Sequence, residues 1–478
     1  MIKKLIKKWN NLGAPIKSAI AFTFSSLLIR GIAFLTTPIF TRMMDSTQYG
    51  IISKYNSWNT ILEVFALLGL TSAGVFNTGL NDYKDRRDKF LSTMLVLCNL
   101  STLIVFIIVF LTQIIIGKEI ILPYILLVVM FIIFAFQPAQ IFWITRERYE
   151  YRYRAATIVS ILSTIVSQAF AIWFIKQGYF ETASNAKIIG SAIGALVFYI
   201  PIYVMLITKG KCFFDKQIWK QVLIFAIPLI PHYLAQHVMA SADRIMISDM
   251  NSSSGAAIYS VVSAISLIAT VIWSAVNASL VPYTYEKLNK REYAGVKKIT
   301  IGLLIVYAIL CLGVSLIAPE VLFILAPKEY YSGIYAVPPI AAVAFLNALY
   351  NLYATIEFYH KKSKGIAIAT IISCIMNIGL NAIFIPHFGF VAAAYTTLVS
   401  NIVLVFMHYL FYRKCQKESV YDDRIIFTIC FATIVLCELC NILYINNYFR
   451  YSCVIIILIM GLIRRKDILR IMKDLKNK

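Results

Sequence analysis

Arg30 sits inside an apolar run, 13 residues after Lys17 and 12 before Arg42. At 1.5 Å per helical residue it stands ~20 Å from either neighbour. That is too deep for the guanidinium to reach an interface easily, so it must face a bundle interior or a wet cavity. A cation fixed there suits an anionic ligand, and a guanidinium suits phosphate through paired hydrogen bonds. The structural alternative is a buried ion pair with Glu63, which lies similarly deep in the next run.

Asp243 and Arg244 fall together in a later run. Adjacent side chains on a helix point about 100° apart, so the two do not pair and each needs a partner elsewhere. The same run carries Pro228, Pro231, His232 and His237. The prolines permit a kink and the histidines can carry protons. The competing reading is a polar face that only fixes helix packing.

Asn59 with Glu63, and Ser274 with Asn277, stand at same-face helical spacing. With Thr36, Thr37, Ser57, Thr60, Asn77 and Ser263 they fit either a hydrogen-bonding lumen or close helix packing in lipid. Lys54 lies near the end of its run and can snorkel. Glu357 precedes Lys361 by four, which predicts a helix-end pair. Glu438 is deep, as a packing contact or a proton site. Cys437 and Cys440 form a CxxC in mid-run with no second pair, which predicts packing rather than metal or redox chemistry. There is no Gly-rich phosphate loop, no HExxH and no repeated Cys/His spacing. No catalytic residue, metal or cofactor is expected.

The elements that hold these residues are apolar runs. Sixty per cent of the 478 residues are hydrophobic and 14% charged, against about 25% charged in soluble chains. A membrane-spanning helix needs roughly 20 apolar residues. Fourteen such runs lie near 18–40, 51–80, 91–116, 120–145, 155–175, 188–208, 223–250, 256–282, 299–318, 334–360, 366–386, 391–412, 425–443 and 451–463. They are too long for barrel strands. The prediction is an all-α polytopic membrane protein. The gaps are too short for a folded domain outside the bilayer, which needs at least ~50 residues.

Of the 45 Lys and Arg, 36 fall in the N-terminus, the C-terminus and every second gap, and only six in the opposite gaps. Cytoplasmic loops carry such an excess, so both termini are expected in the cytoplasm. The net charge of +22 follows from this topology, and no nucleic-acid partner is expected. Ile2, Leu5, Ile6 and Trp9 share one face of an N-terminal segment predicted to lie on the inner leaflet. None of the nine cysteines lies clearly in an outer gap, so no disulfide framework is implied.

Phe24-Ser25-Ser26-Leu27 to Arg30-Gly31, then Pro38-Ile39-Phe40-Thr41-Arg42-Met43-Met44 and Gln48-Tyr49-Gly50, resemble the start of bacterial Wzx-type polysaccharide flippases. Ser241-Ala242-Asp243-Arg244-Ile245-Met246-Ile247 with Ile258-Tyr259-Ser260 is a second match. Ala318-Pro319-Glu320-Val321 with Tyr330 is a third. The order and spacing cover most of the chain. One departure is Ala257, where the family often has Gly, with Gly255 nearby.

The resemblance implies the multidrug/oligosaccharidyl-lipid/polysaccharide exporter fold. About 14 helices would form two six-helix lobes around a central cavity, 1–208 and 223–412, with a C-terminal helix pair at 425–463. The implied cargo is an undecaprenyl-pyrophosphate-linked oligosaccharide, flipped from inner to outer leaflet of the bacterial inner membrane by alternating access. Arg30 and Arg244 would hold the pyrophosphate, with Asn59 and Asn277 on the sugars. Asp243 or Glu63 would couple transport to protons or sodium. Membrane lipids, a polymerase and other polysaccharide-assembly proteins are the expected partners. A drug or cation exporter of the same fold and a peptidoglycan-precursor flippase are the rival readings.

Overall fold

Each of the fourteen apolar runs is mainly helical where a computed structural model describes it, over residues 13–70, 79–117, 119 and 121–463. In chain order the helices are α1 Ala14–Met43, α2 Ser46–Ala66, α3 Arg87–Ile116, α4 Tyr124–Tyr149, α5 Tyr153–Gln177, α6 Ala183–Gly210, α7 Lys216–Ala226, α8 Ile230–Met250, α9 Ser253–Lys290, α10 Tyr293–Leu316, α11 Ala318–Leu325, α12 Val337–Tyr359, α13 Ser363–Cys415, α14 Asp423–Leu443 and α15 Asn447–Ile463. The N-terminal amphipathic segment and Asn77 lie outside the described residues.

Eleven helical stretches among the described residues are long and apolar enough to cross a membrane. Three features account for the difference from fourteen. The second run is polar where described, with Ser, Asn, Lys and Glu along α2. The eleventh and twelfth runs appear as one stretch, α13, broken at Gly389. The last helix, α15, has only 17 residues.

The loops start helices in an orderly way. Side chains of Asp45, Asp215, Ser252 and Asp422 accept from backbone N–H groups of the first turns of α2, α7, α9 and α14. Short oxygen-bearing residues at this position satisfy donors that a helix cannot pair internally. Ser252 and Gly255 therefore form the start of α9 just before Ala257, the position that departs from the family pattern. Pro228 lies in a 3-10 turn, Ile227–Leu229, that separates α7 from α8, and Pro231 falls in the first turn of α8. This is the break that the prolines predict.

The chain divides into two compact units, Met1–His237 and Val238–Lys478. In the first, α5 and α6 approach through glycines spaced four apart. A Cβ on Gly194 would stand 2.7 Å from Ser167 Cα, and one on Gly190 would stand 2.9 Å from the Phe170 carbonyl oxygen. Small residues at this spacing let helix backbones touch in lipid. The basic gaps of this unit also bind their own acids. Arg87 meets Glu150 at 2.9 Å, Arg152 meets Glu147 at 2.6 Å and Lys89 meets Asp215 at 2.6 Å, while Arg146 bonds Asp88.

In the second unit the last helix, α15, is tied down by Arg450, which is 2% exposed. Its guanidinium donates to both Glu320 oxygens at 2.6 Å and to the Leu316 carbonyl at 2.8 Å. Burial alone would raise the Glu320 carboxyl, but hydrogen bonds from Arg450 and Tyr451 hold it below its ordinary value. A carboxyl depressed on folding lends stability above its unfolded pKa, and that stability is lost as pH falls through the folded value. Arg450→Leu removes these bonds and should cost roughly 2–3 kcal/mol, tempered by the partial exposure of Glu320. Hydrogen exchange in α15 is the measurement, and it should rise in the variant. In the parent chain the same exchange should rise only in acid, below the ordinary carboxylate range.

Candidate functional site

Asp243 projects from α8 and is 4% exposed. Tyr259 of α9 donates its hydroxyl to Oδ2 at 2.6 Å, and the Thr397 hydroxyl donates to the same oxygen at 2.8 Å. The Asn381 amide donates to Oδ1 at 2.7 Å. All three donors are neutral. No cation among the described residues lies within ion-pair distance of Asp243.

Two of these partners come from α13 because that helix doubles back. Asn377 donates to the Thr397 hydroxyl at 3.1 Å, and Thr396 bonds Asn381. Along a straight helix, 20 residues would separate Asn377 from Thr397 by roughly 30 Å. The reversal happens at Gly389, with φ 65 and ψ −150, a conformation open essentially to glycine. The two halves of α13 are thus an antiparallel hairpin, as two separate runs predict.

The cluster surrounds one carboxylate with three neutral donors, and Asn377 braces Asn381 and Thr397 behind them. No group of three or more His, Cys, Asp and Glu among the described residues offers a site for a transition metal. The cysteines of the CxxC are free and buried.

Arg244 points elsewhere, as adjacent positions on a helix require. Its Nε donates to Ser260 Oγ at 3.1 Å and its Nη1 to the Ala240 carbonyl at 2.9 Å. The guanidinium also lies 5.9 Å from the Tyr259 ring centroid. No carboxylate among the described residues neutralises it. Asn277 is not brought to this cluster. It lies 17 residues beyond Ser260 on α9, roughly 25 Å along the axis, and its Oδ1 is buried with no hydrogen-bond partner.

In the first unit, Arg30 is exposed at mid-length of α1. Asn59 and Glu63 are half-buried, one turn apart on α2. The alternative pairing of Arg30 with Glu63 is not formed, and no partner of Arg30 stands among the described residues. The hydroxyls of Thr36, Thr37, Ser57, Thr60, Ser263 and Ser274 donate to carbonyls three or four residues back on their own helices. Their donors are spent locally, so each offers at most its oxygen lone pairs to another group.

Glu357 departs from its expected pairing. It bonds His408 Nδ1 at 2.6 Å, with both side chains fully buried, while Lys361 lies beyond the end of α12 with φ 56. Glu438 accepts from Tyr395 at 2.8 Å, holding α14 against α13. Asn381, Thr397 and His408 were not singled out by sequence, and Tyr259 appeared only within the Ile258-Tyr259-Ser260 resemblance. The legible signal was Asn377 and Asn381, two amides four residues apart in an otherwise apolar run.

A family model described as polysaccharide biosynthesis protein matches residues 16–288. An uncharacterized membrane protein of Haemophilus influenzae (strain ATCC 51907 / DSM 11121 / KW20 / Rd) is 25% identical over 246 residues, which is 48% of this chain and 60% of that protein. The fold resembles the lipid II flippase MurJ in an inward closed conformation, with a TM-score of 0.66 at 17% identity over 95% of this chain and 100% of that one. An inward-facing multidrug resistance MATE family transporter of the MOP superfamily gives 0.58 at 13% identity, over 82% and 94%. A MOP superfamily transporter from Pyrococcus furiosus gives 0.54 at 16% identity, over 84% and 96%. At these identities the likeness establishes the fold.

Proposed function

Because the chain belongs to the polysaccharide biosynthesis protein family and is a multi-pass membrane protein with the fold of MOP superfamily transporters, we propose that it flips undecaprenyl-pyrophosphate-linked oligosaccharide repeat units from the inner to the outer leaflet of the bacterial inner membrane. It does so without catalysis. Residues 1–208 and 223–412 act as two lobes that alternate access, with 425–463 as an accessory helix pair, and both termini lie in the cytoplasm.

One observation carries this reading over a cation exporter. Arg30 and Arg244 both lie within membrane helices, and neither is neutralised by a carboxylate among the described residues. Buried or lipid-depth cations are costly unless paired, so a bound anion is the natural counter-charge. A pyrophosphate supplies it and cannot cross ~30 Å of hydrocarbon unaided. Asn59 and Asn277 contribute hydrogen bonds to sugar hydroxyls. Asp243, with Glu63 as a second carboxylate, couples the movement to protons or sodium. A polymerase and other assembly proteins receive the flipped unit.

Deleting the gene should make lipid-linked repeat units accumulate on the cytoplasmic leaflet, measured by extraction and leaflet-selective labelling. Accumulation of lipid II instead would assign the chain to peptidoglycan-precursor transport. Unchanged lipid pools with altered drug sensitivity would assign it to drug export.

A further inference from the structure

A second polar site lies wholly within the first unit. A cavity of about 320 Å³ opens between α1, α4, α5 and α6. Its lining residues sit near the middle of each helix: Ile29 in Ala14–Met43, Gln140 in Tyr124–Tyr149, Thr164 in Tyr153–Gln177 and Tyr199 in Ala183–Gly210. The cavity is therefore at membrane mid-depth, where transporters place substrate sites.

The α5 wall is a regular stripe. Ser160, Ser163, Thr164, Ser167 and Gln168 recur at i, i+3, i+4, i+7 and i+8, one face of a helix. Facing it are Gln137 and Gln140 of α4 and Tyr199 of α6. The wall is held in place where Gly194 lets α6 touch α5 at Ser167.

The chemistry of the lining is selective. It holds no Asp, Glu, Lys, Arg or His, so no group of the lining itself pairs with an ion. Ser160, Thr164 and Ser167 donate to the carbonyls of Ala156, Ser160 and Ser191, which leaves their oxygen lone pairs as acceptors. Gln140 is 7% exposed and Ser163 is 5% exposed, and neither has a hydrogen-bond partner among the described residues. Both residues line the cavity, so their polar groups are available to a ligand there. Each glutamine offers donors and an acceptor side by side. The matching ligand is uncharged and presents hydroxyls, which both donate and accept, at close spacing. The volume sits at the lower end of small-molecule sites.

We propose that this cavity binds one uncharged sugar unit of the cargo. The proposal rests on the flippase reading and deepens it. Ile29 lines the cavity, so the cavity lies at the depth of Arg30 along α1, whose own side chain points about 100° away.

The test uses the full chain in detergent and two probes: undecaprenyl pyrophosphate alone, and the same lipid carrying the host repeat unit. Gln140→Leu and Ser163→Val should weaken binding of the glycosylated lipid about 10-fold each, from lost hydrogen bonds, and leave the sugar-free lipid unchanged. Equal weakening for both lipids, or none for either, would overturn the proposal. Gln168→Leu, at a half-buried position, is the second variant should the buried substitutions fail to fold. Isothermal titration with the free repeat-unit oligosaccharide separates the two levels of inference. A parent chain that binds neither lipid but binds the free sugar, with loss in the variants, refutes the flippase reading and keeps the cavity. Lipid binding that survives with no sugar discrimination refutes the cavity alone.

Discussion

Arg30→Ala is expected to abolish surface polysaccharide while the protein still inserts at normal levels. The substitution touches little of the fold, because Arg30 is exposed on α1 with no partner among the described residues. Its loss therefore costs little stability, and surface substitutions of this kind usually fall within about 0.5 kcal/mol. A charge-assisted hydrogen bond to a pyrophosphate in a membrane site is worth about 1.5–3 kcal/mol, or roughly 10- to 150-fold in affinity. Arg30→Lys keeps the charge but not the planar fork. Partial export in the lysine variant would identify a point-charge role, and equal loss in both would identify bidentate phosphate recognition. Immunoblotting for inserted protein beside quantified surface polymer is the measurement. Normal polymer in Arg30→Ala would remove Arg30 from the substrate path.

The spans were legible in the sequence because a membrane sets a minimum length for each apolar run. The turn at Gly389 was legible for the same reason, as a short interruption between two runs. Pairing was not legible. Asp243 stands out as a charge in an apolar run, but its partners Asn381 and Thr397 are 138 and 154 residues away. Asn and Thr are common in membrane helices, and only tertiary packing selects these two. Glu357 shows how a local rule fails. Its spacing to Lys361 fits an i,i+4 pair, yet α12 turns that carboxylate inward to His408 and the chain leaves helical geometry at Lys361. The stripe from Ser160 to Gln168 was readable as one face, but hydroxyls on a helix are ambiguous until it is known which of them bond their own backbone.

Asp243→Asn should preserve the fold and eliminate ion coupling. The argument turns on the partners. Asn381 donates to Oδ1, and an asparagine oxygen can accept the same bond. Tyr259 and Thr397 meet Oδ2 through hydroxyls, and a hydroxyl can rotate to accept from an asparagine amide. The geometry survives, so thermal unfolding should shift by no more than about 1 kcal/mol. The charge does not survive, and with it goes any difference in affinity for a proton or sodium ion between the two faces of the membrane. An ion gradient drives a conformational cycle only through such differential binding. Transport in proteoliposomes should therefore lose its dependence on whichever gradient, proton or sodium, drives the parent chain, falling to the rate seen without a gradient. Asp243→Leu is the contrasting variant. It strands three donors, two of them buried, at about 1–3 kcal/mol each and should fail to fold. If Asp243→Asn is stable and still follows the gradient, Asp243 only braces α8 against α9 and α13, and coupling must lie at Glu63 or elsewhere.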